Sequence, residues 1–145
     1  MSLFSALSVS ASGMNAQRAR AELLVENMAN ADTTRTPEGG PYRRKDVTFQ
    51  SSGVDSPFAS VLADQLSSQS TGVKVSDVIV DQRDPEKRYL PGHPDAGPDG
   101  YVAFPRLNPA EEMVDLMSAS RGFQANVACM TSVKEMIQRS IDLLK

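Results

Sequence analysis

Two stripes of apolar or small residues, one at each end of the chain, constrain its fold more than anything else in it. In the first, Phe4, Leu7, Ala11, Met14, Ala21, Val25 and Met28 recur three and four apart, with Arg18 the one exception. In the second, Met113, Leu116, Ser120, Phe123, Val127, Met130, Lys134, Ile137, Ile141 and Leu144 alternate in the same way. That rhythm is the heptad seam of helices that pack along their length. It predicts one helix running to Ala31 and another from Pro109 to the end of the chain. At about 1.5 Å per residue the second helix would be roughly 50 Å long. A compact domain of 145 residues does not need so long an element. Part of its stripe must therefore meet the first helix or another chain.

The helix ends are marked chemically. Asn108-Pro109-Ala110-Glu111 is a strong start: Asn108 as N-cap, Pro109 in the first helical position, Glu111 placed as in a capping box. Glu111, Glu112 and Asp115 sit at the positive end of the helix dipole, and Lys134, Arg139 and Lys145 lie toward the negative end. The first helix runs into Thr33, Thr34, Pro37, Gly39-Gly40 and Pro41, which forbid its continuation. Asn27 and Asn30, three apart, place two amides on one face, suited to capping the last carbonyls or to bridging to another chain. Two glycines interrupt the helices at about 1 kcal/mol each relative to alanine. Gly13 signals either an irregular turn or a close approach by another backbone. Gly122, between Arg121 and Phe123, leaves a notch that an adjoining helix or bulky side chain can enter.

Between the helices the pattern changes. Val47 and Phe49 alternate with polar neighbours as in a short strand, after the basic cluster Arg43-Arg44-Lys45, which reads as a solvated face. Residues 51–72 read as a mobile linker with one brief helix at Phe58, Val61, Leu62 and Leu66. Val73, Val75, Val78 and Val80 form a β-branched strand run, and Asp84-Pro85 a turn. Tyr89-Leu90 and Tyr101–Phe104 are two further strands flanking the Pro- and Gly-rich loop 91–100. The expected class is α+β: long N- and C-terminal helices in a coiled-coil-like pair or layer, with a small β-rich middle and extended loops. Residues 1–35 and 106–145 would form the helical domain and 36–105 the insert.

Several function classes lose their footing. The formal net charge is −3, and both end segments are neutral, so the deficit sits in the middle and nothing suggests nucleic acid. Cys129 is the one cysteine, which excludes an intrachain disulfide and a cysteine-based zinc cluster. His93, Asp95 and Asp99 match no standard ligand spacing, and Asp-Gly turn chemistry accounts for them. Gly39-Gly40 fits neither a phosphate loop nor a dinucleotide fingerprint. Catalysis would need a nucleophile–base or carboxylate pair on a rigid frame, whereas His93 falls in a loop and Cys129 on a seam-bearing helix. No metal, cofactor or small-molecule substrate is expected. No run approaches the roughly 18 apolar residues of a membrane helix. The first basic residue is Arg18 and serines interrupt the apolar start, so a Sec-type signal peptide is not expected either. On these grounds alone the chain would be cytoplasmic, and a soluble coiled-coil adaptor binding a partner helix is the rival reading.

The stretch Asn27-Met28-Ala29-Asn30-Ala31-Asp32-Thr33, between two such helices, resembles the N-terminal signature of flagellar rod and hook proteins. The continuation Thr34-Arg35-Thr36-Pro37-Glu38-Gly39-Gly40-Pro41-Tyr42-Arg43-Arg44-Lys45 is similar to the proximal-rod members of the flagellar basal-body rod family. So are Gly92-His93-Pro94-Asp95-Ala96, Gly100-Tyr101-Val102, and the run from Glu111-Glu112-Met113 through Ser120-Arg121 to Gln124-Ala125-Asn126. Phe123 stands where the family more often has tyrosine, which keeps the ring and loses one hydroxyl. The resemblance implies export through the flagellar type III apparatus without a cleaved signal peptide, reversing the cytoplasmic expectation. It implies assembly in the periplasm into the hollow rod that links rotor to hook. The implied partners are further copies of the chain and neighbouring rod proteins of the FlgB, FlgF and FliE types. The expected assembly residues are the seam members above, leaving aside Ala11, Ala21, Ser120 and Lys134, together with Asn27, Asn30 and Gly122.

Overall fold

A computed structural model describes residues 3–52 and 72–143. The elements are α1 (Leu3–Ala29), β1 (Lys45–Ser51), β2 (Val73–Val80), β3 (Glu86–Tyr89), β4 (Tyr101–Phe104) and α2 (Pro109–Asp142). The brief helix expected at Phe58–Leu66, and Leu144 of the second seam, lie outside the described residues.

The α2 start follows the sequence. Asn108 takes the extended cap conformation, its side chain accepts from the Ala110 N–H at 3.1 Å, and Pro109 opens the helix. The two helices then pair with each other along most of α1. Ser10 lies opposite Cys129, Arg20 opposite Asp115 and Asn27 opposite Glu112. Numbers rise along α1 as they fall along α2, so the pair is antiparallel.

The face used for this pairing is not the apolar seam. On α1 the inward positions are Ser10, Gly13, Gln17, Arg20, Leu24 and Asn27; on α2 they are Glu112, Asp115, Ala119, Gly122, Asn126, Cys129 and Val133. Both sets also alternate three and four apart, so they form a second heptad on each helix. It is offset by one residue, or about 100° around the helix, from the stripe that hydropathy picks out. The apolar stripe therefore runs beside the contact. Phe4 remains 76% exposed, Val25 52% and Met113 53%, and Phe123, Val127 and Ile141 are exposed as well. Leu7, Met14, Met28, Leu116, Met130 and Ile137 are half-buried. Among the described residues the buried apolar side chains are Ala16, Leu24, Tyr42, Val102, Phe104, Ala119 and Val133.

The middle forms two antiparallel two-stranded sheets, β1–β2 and β3–β4. Val75 and Val78 are three apart, which breaks the strand period. The register shift between Thr48 and Phe49 absorbs the extra residue, so Phe49 pairs with Val75 while Val47 pairs with Val78. Such a bulge returns Val73, Val75, Val78 and Val80 to one face with Val47 and Phe49. The strand expected at Tyr89-Leu90 is displaced: β3 covers Glu86–Tyr89 and Leu90 closes the loop, its N–H donating to the Gly100 carbonyl at 2.9 Å. Glu86-Lys87-Arg88 has little intrinsic strand preference. It is held by pairing with β4, by Arg88 lying 4.9 Å from the Phe104 ring centre, and by the edge-to-face Tyr89–Tyr101 pair at 5.3 Å. Loop 91–100 is tied back to the end of α1 by the Thr34 hydroxyl, which donates to Asp95 Oδ2 at 2.7 Å.

Candidate assembly interface

The element that positions everything else is a polar knot where α1, α2 and β1 meet. Asn27 is 0% exposed and its carboxamide is fully used. Its Nδ2 donates to the Lys45 carbonyl at 2.8 Å and to Glu112 Oε2 at 2.9 Å. Its Oδ1 accepts from the Tyr42 hydroxyl at 2.9 Å and from the Lys45 N–H at 3.0 Å. Two donors and two lone pairs leave nothing unsatisfied. Towards Lys45 the side chain behaves as a neighbouring strand would, taking both the N–H and the C=O of one residue.

Glu112, 2% exposed, has its other oxygen on Arg44 Nε. A carboxylate taken out of water in this way requires a partner cation and hydrogen bonds to both oxygens. Glu112 in turn holds the Arg44 guanidinium in its charged form, raising its pKa. Burial, with the Glu26 carboxylate nearby, pushes the Tyr42 phenol up to about 12. Lys45 Nζ completes the ring of contacts on Glu26 at 2.6 Å. Arg44 and Lys45, read from sequence as solvated, thus clamp the hairpin to the helices.

Two of the expected assembly residues have partners within the chain. Every polar atom of the Asn27 side chain is occupied within the chain. The notch at Gly122 is filled by this chain as well: a Cβ there would stand 3.2 Å from Gln17 Cδ. Gly13 is its counterpart, with Asn126 Nδ2 at 3.0 Å from where a Cβ would be. Asn30 caps its own helix, donating to the Glu26 carbonyl at 2.9 Å and accepting from the Thr33 hydroxyl at 3.1 Å.

Of the remaining expected residues that are described, Phe4, Val25, Met113, Phe123, Val127 and Ile141 are exposed and Leu7, Met14, Met28, Leu116, Met130 and Ile137 are half-buried. Three of them, Leu7 from α1 with Met130 and Ile137 from α2, converge on one open, mainly apolar depression of about 390 Å³, edged by Lys134. Phe4, Val25, Met113, Val127 and Ile141 are exposed members of the same stripes. Sequence reasoning missed Tyr42, Arg44, Lys45 and Glu112 as a unit, since their partners are far apart in the chain. The one available signal was the side-by-side placement of polar Asn27 and apolar Met28 at the helix end.

Outside this region, His93 Nδ1 accepts from the Asp95 N–H at 3.1 Å and its ring lies edge-on to Phe104. Cys129 is exposed, with its sulfur accepting from the Ser10 hydroxyl at 3.4 Å. Among the described residues no three metal-capable side chains cluster, and no helix is long and apolar enough to cross a membrane.

The chain has relatives among known proteins. The flagellar basal-body rod protein FlgC of Bacillus subtilis (strain 168) is 42% identical over 152 residues, an alignment that takes in 100% of both chains. The chain belongs to the FlgC family of flagellar basal-body rod proteins. FlgC of Borreliella burgdorferi is 38% identical, with 100% of this chain and 99% of that one aligned. FlgC of Escherichia coli O6:H1 is also 38% identical, with 99% and 98% aligned. A family model described as the flagellar basal body rod FlgEFG protein C-terminal matches residues 99–143, which span β4 and α2. FlgC-type identity over the whole chain fits a structural part, built from a helix pair whose chemistry is spent on packing.

Proposed function

We propose that this chain is a structural subunit of the flagellar basal-body rod and that it polymerises through the outward stripes of its helix pair. The observation that carries this reading is the exposure of an apolar heptad on each helix after the two helices have already found each other. A monomer whose long helices pair through small and polar residues has no internal use for Phe4, Val25, Met113, Phe123 or Val127 on the outside. Neighbouring copies and other rod proteins, of the FlgB, FlgF and FliE types, supply the missing partners. Methionine at 113, 117 and 136 suits contacts that must adapt to more than one neighbour.

In this reading residues 1–35 and 106–145 make the inner tube of the rod and residues 36–105 its outer layer. The tube transmits torque from rotor to hook and forms part of the export channel. The neutrality of both helical segments favours dense packing, and the acidic middle favours solvent. The chain reaches the periplasm through the flagellar type III export apparatus without a cleaved signal peptide.

The test places a carboxylate on each stripe, Phe4→Asp and Val127→Asp, in cells lacking the wild-type copy. Burying an unpaired carboxylate costs several kcal/mol per site. Rods should therefore be missing and swimming abolished, while the purified monomer keeps its helix content. Complete rods in motile cells carrying both changes would overturn the proposal. Retention of the wild-type chain in the cytoplasm on fractionation would instead favour a soluble adaptor.

A further inference from the structure

The pairing face of the helices contains a device that the apolar stripes do not explain. Gly13 and Gln17 lie one turn apart on α1, and Gly122 and Asn126 one turn apart on α2. In the antiparallel pair each glycine faces the other helix's amide. Asn126 sits over Gly13, with its Nδ2 and Oδ1 at 3.0 and 3.1 Å from where a Cβ would be. Gln17 sits over Gly122, with Cδ and Cγ at 3.2 and 3.4 Å. The Asn126 amide is fixed in that position by donating to the Gly122 carbonyl at 3.0 Å. The arrangement is reciprocal, a step and a notch on each helix.

We infer that Gly13, Gln17, Gly122 and Asn126 determine the register of the helix pair. The other inward positions discriminate poorly between registers: Arg20 and Asp115 meet at 3.4 Å, but both are part-exposed and such a pair contributes little. Ser10, Ala16, Ala119 and Cys129 are small, and small residues opposite small residues tolerate a slide of one heptad. Leu24 and Val133 lie toward opposite ends of the contact and lock neither end alone. A slide of seven residues places Gln17 opposite Cys129 and Asn126 opposite Arg20. Both amides then meet side chains instead of bare backbone, which a close-packed face does not accommodate, while Val133 and Leu24 come over the two glycines. Asn27 and Glu112 fix the same register, but only at the end next to the hairpin. The glycine–amide steps fix it in mid-helix.

The register decides at what height the outward stripes of the two helices stand relative to each other, and so the shape offered to a neighbour. That consequence rests on the assembly reading; the register itself does not.

The protein carries its own reporter. Ser10 Oγ is 3.4 Å from Cys129 Sγ, and Cys129 is the only cysteine. In the purified full chain, Ser10→Cys should form an intrachain disulfide under mild oxidation, and Asn15→Cys, on the exposed side of α1, should not. Adding Gly13→Leu to the Ser10→Cys chain should slow that disulfide at least about fivefold, since overpacking of about 1–3 kcal/mol corresponds to such a factor or more. Moving the amide to the other helix, Gly13→Asn with Asn126→Gly, should restore the rate to within about threefold, a residual of well under 1 kcal/mol. A second reporter separates a slipped register from simple loss of packing. α2 continues past the level at which α1 begins, so the slide that lengthens the overlap brings residue 10 toward Met136. The chain with Ser10→Cys, Cys129→Ser and Met136→Cys should gain cross-linking when Gln17→Ala and Asn126→Ala are added, because Val133 and Leu24 can then occupy the two notches. An unchanged rate in the Gly13→Leu chain, failure of the exchanged pair to restore it, or no gain at Met136 would each overturn the inference. Dimers in place of the intrachain product would overturn it too, by showing that the helices pair between copies. Swimming and rod completion, measured on the same variants, test the assembly reading separately.

Discussion

Each terminal helix carries two heptads one residue apart, and they could hardly differ more. The inward heptad holds serine, glycine, glutamine, arginine, asparagine, glutamate and aspartate with few aliphatic side chains, and it is satisfied within the chain. The outward heptad holds phenylalanine, leucine, valine, isoleucine and methionine, and much of it faces solvent. Burial of apolar surface is strong and unspecific, so it suits contacts repeated between many copies. Hydrogen bonds and close glycine contacts are weaker in sum but geometrically exacting, so they suit one fixed intrachain alignment. The chain divides these two kinds of physics between two faces of the same helix.

Breaking the inward face should have the largest effect on the monomer. Glu112→Ala leaves Arg44 and one Asn27 donor without their partner in the knot. Removing one member of a buried pair costs about 3–5 kcal/mol. Arg44 keeps some contact with water, so a loss of about 3 kcal/mol in urea unfolding is expected, and a loss below about 1 would mean that the knot is incidental. Gly122→Leu comes next, driving a side chain into Gln17; overpacking sets the expected loss at about 1–3 kcal/mol. That loss should shrink when Gln17→Gly is added. Additive losses in the double variant would break the reciprocal packing described above.

The pH dependence sharpens the comparison further. The Tyr42 phenol is raised from 10.0 to about 12 in the folded chain, so the fold favours its neutral form. The resulting stability is present below pH 10 and is lost as pH rises toward 12, because the unfolded chain gives up the proton first. The slope should reach at most about 1.4 kcal/mol per pH unit. Tyr42→Phe should flatten the alkaline unfolding profile in that window, and an unchanged profile would mean that the phenol is not held in the knot. The smallest effect on the monomer belongs to the outward face. Met113→Ser should alter monomer stability by no more than about 0.5 kcal/mol, as surface changes do. A loss above about 2 kcal/mol would show the outward stripe to be a hidden part of the monomer core.

Much of the architecture is legible without coordinates. The Asn108-Pro109 start of α2 is a local matter, since its cap bonds join residues two apart. The break after α1 is equally local, because Pro37, Gly39 and Gly40 act through their own backbones. The valine run of β2 is visible from its β-branched composition, although the bulge that aligns its two halves needs β1 alongside. β3 is the counter-case, a strand of charged residues held by pairing and by ring contacts contributed by β4. The expected assembly residues divide in the same way. Hydropathy finds Phe4, Val25, Met113 and Val127 because being apolar is a property of single residues. It cannot find Asn27, Glu112 or Gly122 as intrachain contacts, because what each does depends on a partner.

By itself, then, the sequence determined two long helices, their ends, a strand-bearing middle and an apolar heptad along each helix. Those features follow from backbone propensity, capping and period, which act over a few residues. Only the tertiary structure decided which of two adjacent heptads the helices use for each other. Packing was settled by which faces let the backbones approach and leave every buried polar atom bonded: Gly13 under Asn126, Gly122 under Gln17, and Asn27 between Lys45, Tyr42 and Glu112. No scale of single-residue hydrophobicity contains that information, because it belongs to pairs of residues brought together across the whole length of the chain.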